Sequence, residues 1–259
     1  MSDRAPAVTP SRTAAVIPAA GRGVRLGPGA PKALRALSGT PMLVHAVRAM
    51  AASRAVSLVV VVAPPDGADE VRNLLDAYPL SGHDRAELLV VPGGESRQES
   101  VHLGLRALPG DIGTVLVHDA ARPLVPVETV DAVISAVRDG APAVVPALPL
   151  TDTVKQVEPR TGAAAGEPEP VVGTPERALL RAVQTPQGFD RRTLDAAHEK
   201  FAAFATEGEG ATDDAGLVER LGTPVVVVPG HEEGFKVTRP LDLVLAEAVL
   251  ARRRANDRF

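Results

Sequence analysis

Short apolar runs that alternate with helical patterns are the feature that most restricts the fold of this chain. The runs are rich in Val and Leu, and they lie at 14–18, 57–63, 87–91, 114–118, 143–148 and 225–228. Helical patterns lie at about 41–53, 67–77, 96–108, 127–139 and 240–253. The last of these keeps one apolar stripe, formed by Leu241, Val244, Leu245, Ala248 and Val249. Such apolar strands are typical of a sheet covered on both faces. The alternation therefore predicts an α/β fold, with a mostly parallel sheet and helices on both faces.

The composition excludes several classes of protein. With a net charge of −4 and only 2% aromatic residues, the chain lacks the basic stripe and the stacking side chains of a general nucleic-acid binder. The absence of cysteine excludes disulfides, Cys-ligated zinc and thiol chemistry. No apolar run approaches the length of a membrane helix. We expect a cytoplasmic protein that binds neither nucleic acid nor membrane.

The length of 259 residues is compatible with one large domain or two small ones. Residues 1–12 contain Pro, Ser, Thr and charges but no apolar core, which is not the pattern of a signal peptide. We expect a disordered tail at 1–12 and a single domain at 13–259.

The first apolar run leads into a loop that is rich in glycine and carries cations. Residues 16–32 read Val-Ile-Pro-Ala-Ala-Gly-Arg-Gly-Val-Arg-Leu-Gly-Pro-Gly-Ala-Pro-Lys. Glycines let the backbone approach a ligand closely, and Arg25 and Lys32 can donate to phosphate oxygens. A loop of this kind after the first strand of an α/β sheet is where such folds hold nucleotides. The alternative is an ordinary strand-to-helix connection with surface charges.

Two familiar phosphate-binding loops do not match this one. The dinucleotide fingerprint requires a third glycine where this chain has Leu26, which disfavours a dehydrogenase. The ATP- and GTP-binding loop requires Gly-Lys-Ser/Thr, but here Pro31 precedes Lys32 and Ala33 follows it. The pattern Pro-Ala-Ala-Gly-x-Gly-x-Arg followed by Pro-Lys instead resembles the signature of sugar- and polyol-phosphate nucleotidyltransferases.

A glycine-rich motif at 93–100 follows the third apolar run. Ser96 and Glu99 match the capping box that satisfies free backbone donors at a helix start. That role leaves Gly94 and Ser100 available for ligand contacts at the mouth of the sheet.

Charged residues follow the fourth apolar run abruptly, where residues 118–123 read His-Asp-Ala-Ala-Arg-Pro. This position is the carboxyl end of a strand, where open α/β sheets bind ligands. Asp119 can hold a hydroxyl or approach a divalent ion, and Arg122 can hold phosphate. A local ion pair between the two is the alternative.

The segment from Thr151 to about Val172 departs from the alternation of strands and helices. Alternating residues at its start predict exposed strands, and we expect a protruding β-arm at about 150–173 with a loose tip at 159–170. Its open edges would need a partner. The alternative is a flexible surface excursion.

A last motif, Gly-Phe-Lys-Val-Thr-Arg-Pro at 234–240, precedes the final helical pattern. Pro240 suits the first helical position, with Thr238 or Arg239 in the cap region. Lys236 would then lie in a short strand-like piece just before the cap.

Together these motifs closely resemble the 2-C-methyl-D-erythritol 4-phosphate cytidylyltransferase family over about residues 14–250. The ordered set is Pro-Ala-Ala-Gly…Pro-Lys, Gly-Gly…Arg…Ser-Val, His-Asp-Ala-Ala-Arg-Pro, Asp-Thr-Val-Lys, Thr-Pro-Gln, Thr-Asp-Asp and Lys-Val-Thr-Arg-Pro. Each motif alone is weak, but their order along one chain is specific. The resemblance implies a Rossmann-like nucleotide-diphospho-sugar transferase fold with a β-arm.

The resemblance also implies site residues. Those implied to bind CTP are Pro18, Ala19, Ala20, Gly21, Arg25, Lys32, Gly94, Ser100 and Ala120. Those implied to bind the acceptor are Asp119, Arg122, Thr153, Arg177, Thr185, Thr212 and Lys236. Catalytic roles are implied for Arg25, Lys32, Arg177 and Lys236.

The implied reaction transfers CMP from CTP to 2-C-methyl-D-erythritol 4-phosphate, with Mg²⁺ or another divalent cation held mainly by the CTP phosphates. The implied assembly is a homodimer in which Thr153 and Arg177 of the arm reach the partner's site. Ribitol-5-phosphate cytidylyltransferase and a catalytically silent nucleotide-binding regulator are the alternatives. The tip at 159–170 is longer than the family pattern leads us to expect, and the N-terminal tail has no counterpart in it.

Overall fold

The structure is a computed structural model, and it describes residues 11–20, 32–80, 86–158, 166–202 and 213–256. The strands of this part are β1 Arg12–Pro18, β2 Ala36–Leu37, β3 Thr40–Pro41, β4 Val56–Ala63, β5 Glu87–Pro92, β6 Ile112–Val117, β7 Ala143–Pro149, β8 Gln156–Val157, β9 Val171–Gly173, β10 Arg181–Val183, β11 Gln187–Asp190 and β12 Val226–Pro229. The α-helices are α1 Met42–Ala51, α2 Ala68–Asp76, α3 Arg97–Arg106, α4 Val127–Arg138, α5 Arg191–Lys200, α6 Asp214–Arg220 and α7 Pro240–Asn256.

An eight-stranded sheet organises the molecule. Its strands follow the order β10-β7-β11-β6-β1-β4-β5, and β12 also pairs with β7. The β6-β1-β4-β5 half is parallel throughout. In the other half β11 lies antiparallel between β6 and β7, whereas β12 runs parallel to β7. The predicted mostly parallel α/β sheet is confirmed.

Helices cover both faces of the sheet, as the apolar strands predicted. One face carries a core formed with α1, α2 and α4, and the other a core formed with α3, α5 and α6. Gly104 lets α3 approach the sheet closely, because a Cβ there would lie 2.6 Å from Val16 Cγ1 and 2.8 Å from Val62 Cγ2. None of the helices in the described part is both long and apolar enough to cross a membrane.

The predicted arm is a two-stranded antiparallel ribbon of β8 and β9. Residues 159–165 of its tip lie outside the described residues. Several apolar side chains of the arm and of the segment after it are exposed: Val157, Val171, Val172, Leu179 and Val183. The arm therefore presents apolar surface that its own subunit leaves uncovered.

The prediction about the N-terminal end of the chain needs correction. Arg12, which we assigned to a disordered tail, is the first residue of β1, where it pairs with Ile112 and its backbone N–H donates to Asp111 O at 3.2 Å. Its guanidinium also donates to Ser57 Oγ at 3.0 Å. Residues 1–10 of that tail lie outside the described part of the chain.

The apolar stripe predicted for the last helix faces outward. Leu241, Val244 and Leu245 are 76%, 62% and 51% exposed, and of the predicted stripe only Val249 is buried. α7 has a second apolar face, and this one packs against the molecule through Leu243, Ala246, Val249 and Leu250. Contacts with the rest of the molecule determine which of the two apolar faces of α7 is buried. The periodicity of the sequence does not contain that information.

Candidate active site

Parallel register brings the loops after β1, β5 and β6 to the same edge of the sheet. Pro18 lies opposite Val62 and Ala63 lies opposite Pro92, so β1, β4 and β5 end together. β6 ends beside β1, where His118 N–H donates to Val16 O at 2.9 Å. The predicted nucleotide loop, glycine motif and Asp119 therefore emerge at one edge, as expected for a ligand site of an α/β sheet.

Hydrogen bonds and burial fix the backbone in the described part of the predicted CTP site. Ala19 is buried and donates its N–H to Val62 O at 2.8 Å, and Ala120 is also buried. Ser100 is buried and accepts the N–H of Gly94 at 3.2 Å. Pro18 and Ala20, at the end of β1, are half-buried. These contacts hold backbone, rather than long side chains, at the predicted CTP site.

The capping box of α3 is present with one difference from its usual form. Ser96 Oγ accepts the N–H of Glu99 at 3.1 Å, as predicted. The Glu99 carboxylate accepts from the N–H of Glu95 at 2.8 Å, one residue before the cap. Both bonds fix the turn that carries Gly94.

Several predicted residues cannot be placed. Gly21, Arg25 and Thr212 lie outside the described residues. Lys32 is the first residue of the short 3-10 helix Lys32–Leu34, but its side chain is outside the described part. The roles of these residues remain predictions.

Asp119 is the centre of the predicted acceptor side. Its Oδ2 lies 2.7 Å from Lys236 Nζ, and its Oδ1 lies 3.7 Å from a guanidinium nitrogen of Arg97. Burial by itself raises the pKa of the Asp119 carboxyl, but Arg97 and Lys236 outweigh burial and hold that pKa well below its usual range. Asp119 is therefore a carboxylate with a different cation at each oxygen, and it can accept a hydrogen bond from a hydroxyl.

A chain of hydrogen bonds behind Asp119 fixes the backbone of this turn. Asp119 N–H donates to Thr185 Oγ1 at 3.0 Å, and Thr185 Oγ1 lies 3.0 Å from His118 Nδ1. His118 Nε2 lies 3.1 Å from Arg122 O, which can only accept. The proton of His118 is thus on Nε2, and Thr185 donates to Nδ1. Burial lowers the pKa of His118 to about 4, which agrees with a neutral ring.

Arg122 does not form the local ion pair with Asp119 that we considered as an alternative. Its guanidinium donates to Gly234 O at 2.8 Å and to Val183 O at 3.2 Å. Its Nε is buried without a hydrogen-bond partner. Arg122 therefore ties the turn after β6 to the loop that carries Lys236, and its contact with the acceptor stays a prediction.

The loop of Lys236 is positioned from both sides. Val237 N–H donates to Ala121 O at 2.8 Å, which holds Lys236 beside the turn after β6. Pro240 is the first residue of α7, as predicted. The Asp242 carboxylate accepts from the N–H groups of Thr238 and Arg239, both at 2.7 Å. The strand-like piece predicted around Lys236 is instead irregular backbone after a short 3-10 helix.

Comparison with known proteins identifies the family. The model of the 2-C-methyl-D-erythritol 4-phosphate cytidylyltransferase family matches residues 13–252. The chain belongs to this family.

Relatives and solved structures agree with the match. The chain is 76% identical over 257 residues to the 2-C-methyl-D-erythritol 4-phosphate cytidylyltransferase of Streptomyces avermitilis, covering 99% of each chain. It resembles the 4-diphosphocytidyl-2C-methyl-D-erythritol synthase structure from Anaerococcus prevotii with a TM-score of 0.75 and 28% identity, covering 93% of this chain and 96% of the other. The cytidylyltransferase structure from Thermus thermophilus gives a TM-score of 0.66 and 36% identity, covering 91% and 97%. The family predicted from the motifs is confirmed.

In this cytidylyltransferase family member, residue-based reasoning missed Arg97. Its guanidinium lies 2.8 Å from Asp214 Oδ2 as well as near Asp119. Burial lowers the pKa of Arg97, but Asp214 and Asp119 outweigh burial and raise it. Arg97 lies inside the Gly-Gly…Arg…Ser-Val motif, and Asp214 lies in the Thr-Asp-Asp motif. Both residues therefore belong to motifs that the sequence analysis had already named. What the sequence did not indicate is that the two motifs meet.

Within one chain, the two arm residues predicted to bind the acceptor are separate from the cluster formed by Asp119, Lys236 and Arg97. Thr153 and Arg177 are both exposed, and the Arg177 guanidinium donates to Thr151 O. Among the hydrogen bonds and ion pairs of the described residues, none joins them to Asp119 or Lys236. Their assignment to an acceptor site stays a prediction.

Proposed function

We propose that this protein transfers CMP from CTP to 2-C-methyl-D-erythritol 4-phosphate, giving 4-diphosphocytidyl-2-C-methyl-D-erythritol and pyrophosphate in isoprenoid precursor synthesis. The observation that carries the proposal is the Asp119 carboxylate held between Lys236 and Arg97, at the sheet edge where the glycine-rich loop begins. A polyol phosphate offers hydroxyls to such a carboxylate and phosphate oxygens to such cations. Membership of the cytidylyltransferase family supports the same reaction.

The reaction needs no nucleophile from the protein. A phosphomonoester has a second pKa of about 6, so at neutral pH it is mostly a dianion that can attack by itself. One of its oxygens would attack the α-phosphorus of CTP in line, forming a P–O bond as the bond to pyrophosphate breaks. The task of the protein is then to position the two substrates and stabilise the developing charge. We assign charge stabilisation to Arg25 and Lys32, and acceptor positioning to Asp119 and Lys236.

We propose that the divalent cation is held mainly by the CTP phosphates. Among them, no group of three or more His, Cys, Asp or Glu side chains is placed to hold a metal ion. Mg²⁺ usually binds through one or two carboxylates together with substrate phosphates and waters. Because both oxygens of Asp119 already face cations, the CTP phosphates would be the main ligands. When bound, the cation would neutralise part of the triphosphate charge.

Pyrophosphate release is the direct test of the reaction. We expect release from CTP plus 2-C-methyl-D-erythritol 4-phosphate in the presence of Mg²⁺, and its loss when a chelator removes the cation. The assay should compare CTP with UTP, ATP and GTP, and the methylerythritol acceptor with ribitol 5-phosphate. A preference for ribitol 5-phosphate or for UTP would refute the proposed substrates, and binding of CTP without turnover of either acceptor would indicate a nucleotide-binding regulator.

Replacing Lys236 with Ala should affect the acceptor more than CTP. The substitution removes the cation 2.7 Å from Asp119. We expect kcat/KM for 2-C-methyl-D-erythritol 4-phosphate to fall by about 10–100-fold, the range for losing one hydrogen bond to a charged group. Steady-state kinetics should show a raised KM for the acceptor and a lowered kcat, with KM for CTP nearly unchanged. Lys200→Ala, at an exposed position of α5, is the control. An equal rise in both KM values would contradict a positioning role.

We further propose a homodimer formed through the arm, with Thr153 and Arg177 completing the partner's acceptor site. The exposed apolar residues of the arm support this assembly, since Val171 and Val172 are 57% and 55% exposed. The outward face of α7, which begins four residues after Lys236, is a second uncovered apolar surface in the described part of the chain. An edge ribbon with such surfaces gains by pairing with a symmetry mate.

A further inference from the structure

Arg97 lies between two carboxylates, and the two contacts are unequal. One guanidinium nitrogen lies 2.8 Å from Asp214 Oδ2, whereas the other lies 3.7 Å from Asp119 Oδ1. The side chain of Asp214 is 1% exposed, whereas that of Asp119 is 15% exposed. Arg97 therefore forms its short ion pair with the buried carboxylate and reaches toward the more open one.

Asp214 is itself held rigidly. Its Oδ1 lies 3.0 Å from Nε2 of His198, whose side chain is fully buried. Asp214 is also the first residue of α6, and the preceding Asp213 caps that helix by accepting the N–H of Gly216 at 2.9 Å. Burial raises the pKa of Asp214, but Arg97 and His198 outweigh burial and lower it, so the group is a carboxylate.

His198 has the geometry of an orienting group. Its Nε2 faces the ionised Asp214, which can only accept, so Nε2 carries the proton. Its Nδ1 is buried and has no hydrogen-bond partner. The ring stacks on His102, with centroids 6.1 Å apart. Among the described residues, Asp214 is therefore the one hydrogen-bond partner of the His198 ring.

We propose that Asp214, oriented by His198, is a positioning residue that holds Arg97 away from Asp119 and so keeps Asp119 Oδ1 open to the acceptor. The inference rests on the proposed function. Guanidinium and carboxylate groups prefer short, bidentate contact. Without Asp214, Arg97 would be free to close on Asp119, whose Oδ2 Lys236 already occupies. With a close donor at each oxygen, the carboxylate would hold the polyol hydroxyl more weakly, while the contacts on the CTP side would stay as they are.

Asp214→Asn is the primary test because Asn keeps the size of Asp and removes its charge. We expect KM for 2-C-methyl-D-erythritol 4-phosphate to rise about tenfold, the effect of about 1.4 kcal/mol, with KM for CTP changed by less than about twofold. Titration calorimetry with the acceptor should show the same loss of affinity. The control Asp195→Asn removes a carboxylate from a partly buried pair with Arg191, 2.8 Å apart and separate from Arg97, and should change neither constant. Equal effects on both substrates would overturn the proposal.

A double-mutant cycle separates positioning from a general loss of stability. Lys at position 97 cannot bridge two carboxylates with a planar fork. In the Arg97→Lys background, Asp214→Asn should therefore have little further effect on the acceptor KM, because residues of one network are not additive. Additive effects on that KM would overturn the proposal.

His198 offers variants that distinguish the two roles further. His198→Gln keeps a donor for Asp214 and should retain the acceptor KM, whereas His198→Leu should reproduce the Asp214→Asn phenotype. Thermal unfolding of each variant is measured alongside. A lowered Tm with an unchanged ratio of the two KM values would show a structural role only, and would refute positioning. If the wild-type protein prefers another polyol phosphate, the proposed substrate fails, and the same cycle with that acceptor still tests Asp214.

Discussion

Replacing Lys32 with Ala is expected to lower kcat by about 10²–10³ or more, the cost of losing one donor that stabilises charge in a transition state. Arg25→Ala is expected to do the same. Both cations stand in the glycine-rich loop that follows β1, and no protein nucleophile shares the work in the proposed reaction. Single-turnover measurements with saturating CTP and acceptor would isolate this chemical step.

Charge-matched surface variants control this experiment. Lys200→Ala and Arg192→Ala remove cations from the exposed side of α5 and should leave kcat unchanged. Near-normal turnover in the Lys32 variant would mean that the loop only binds the nucleotide, and the assignment of Lys32 to the transition state would be wrong.

Mixing two inactive variants is expected to restore activity if the acceptor site is shared across a dimer. An Arg177→Ala subunit keeps its own Lys32, and a Lys32→Ala subunit keeps its own Arg177. In a mixed dimer one site would then carry both lesions and the other neither. Random reassociation of equal amounts makes half of the dimers mixed, so about a quarter of wild-type activity should return.

The measurement needs proof that mixed dimers form. Differently tagged subunits, unfolded and refolded together, would give mixed dimers that can be purified and assayed. Mixing either variant with itself is the control and should restore nothing. Confirmed mixed dimers without activity would show that Arg177 serves its own subunit, where it now contacts Thr151 O.

The parallel half of the sheet was predictable because its strands are buried on both faces. β1, β4 and β6 are nearly continuous runs of buried apolar residues, which few other structures can accommodate. β10 and β11 were not predicted, since they are short and each owes its place to antiparallel pairing with a strand distant in sequence. α5 and α6 were also missed, because part of their buried side is polar, including His198 and Asp214.

The motifs of the site were visible in the sequence, but their mutual contacts were not. Asp119 and Lys236 could be named from local patterns, whereas their 2.7 Å contact joins residues 117 positions apart. The guanidinium of Arg122 stands near Asp119 in sequence yet bonds to carbonyls of distant segments. Spacing along a chain predicts which residue types are present, and only packing decides which charges meet.

By itself the sequence determined the family, the parallel core and most of the residues proposed to carry the chemistry, because these depend on local motifs and on burial patterns. Only the tertiary structure decided which face of α7 packs inward and which cations flank Asp119. Only the structure brought Arg97 and His198 together with Asp214. The physical reason is that ion pairs and helix-face selection depend on neighbours supplied by distant segments, and a linear pattern does not record those neighbours.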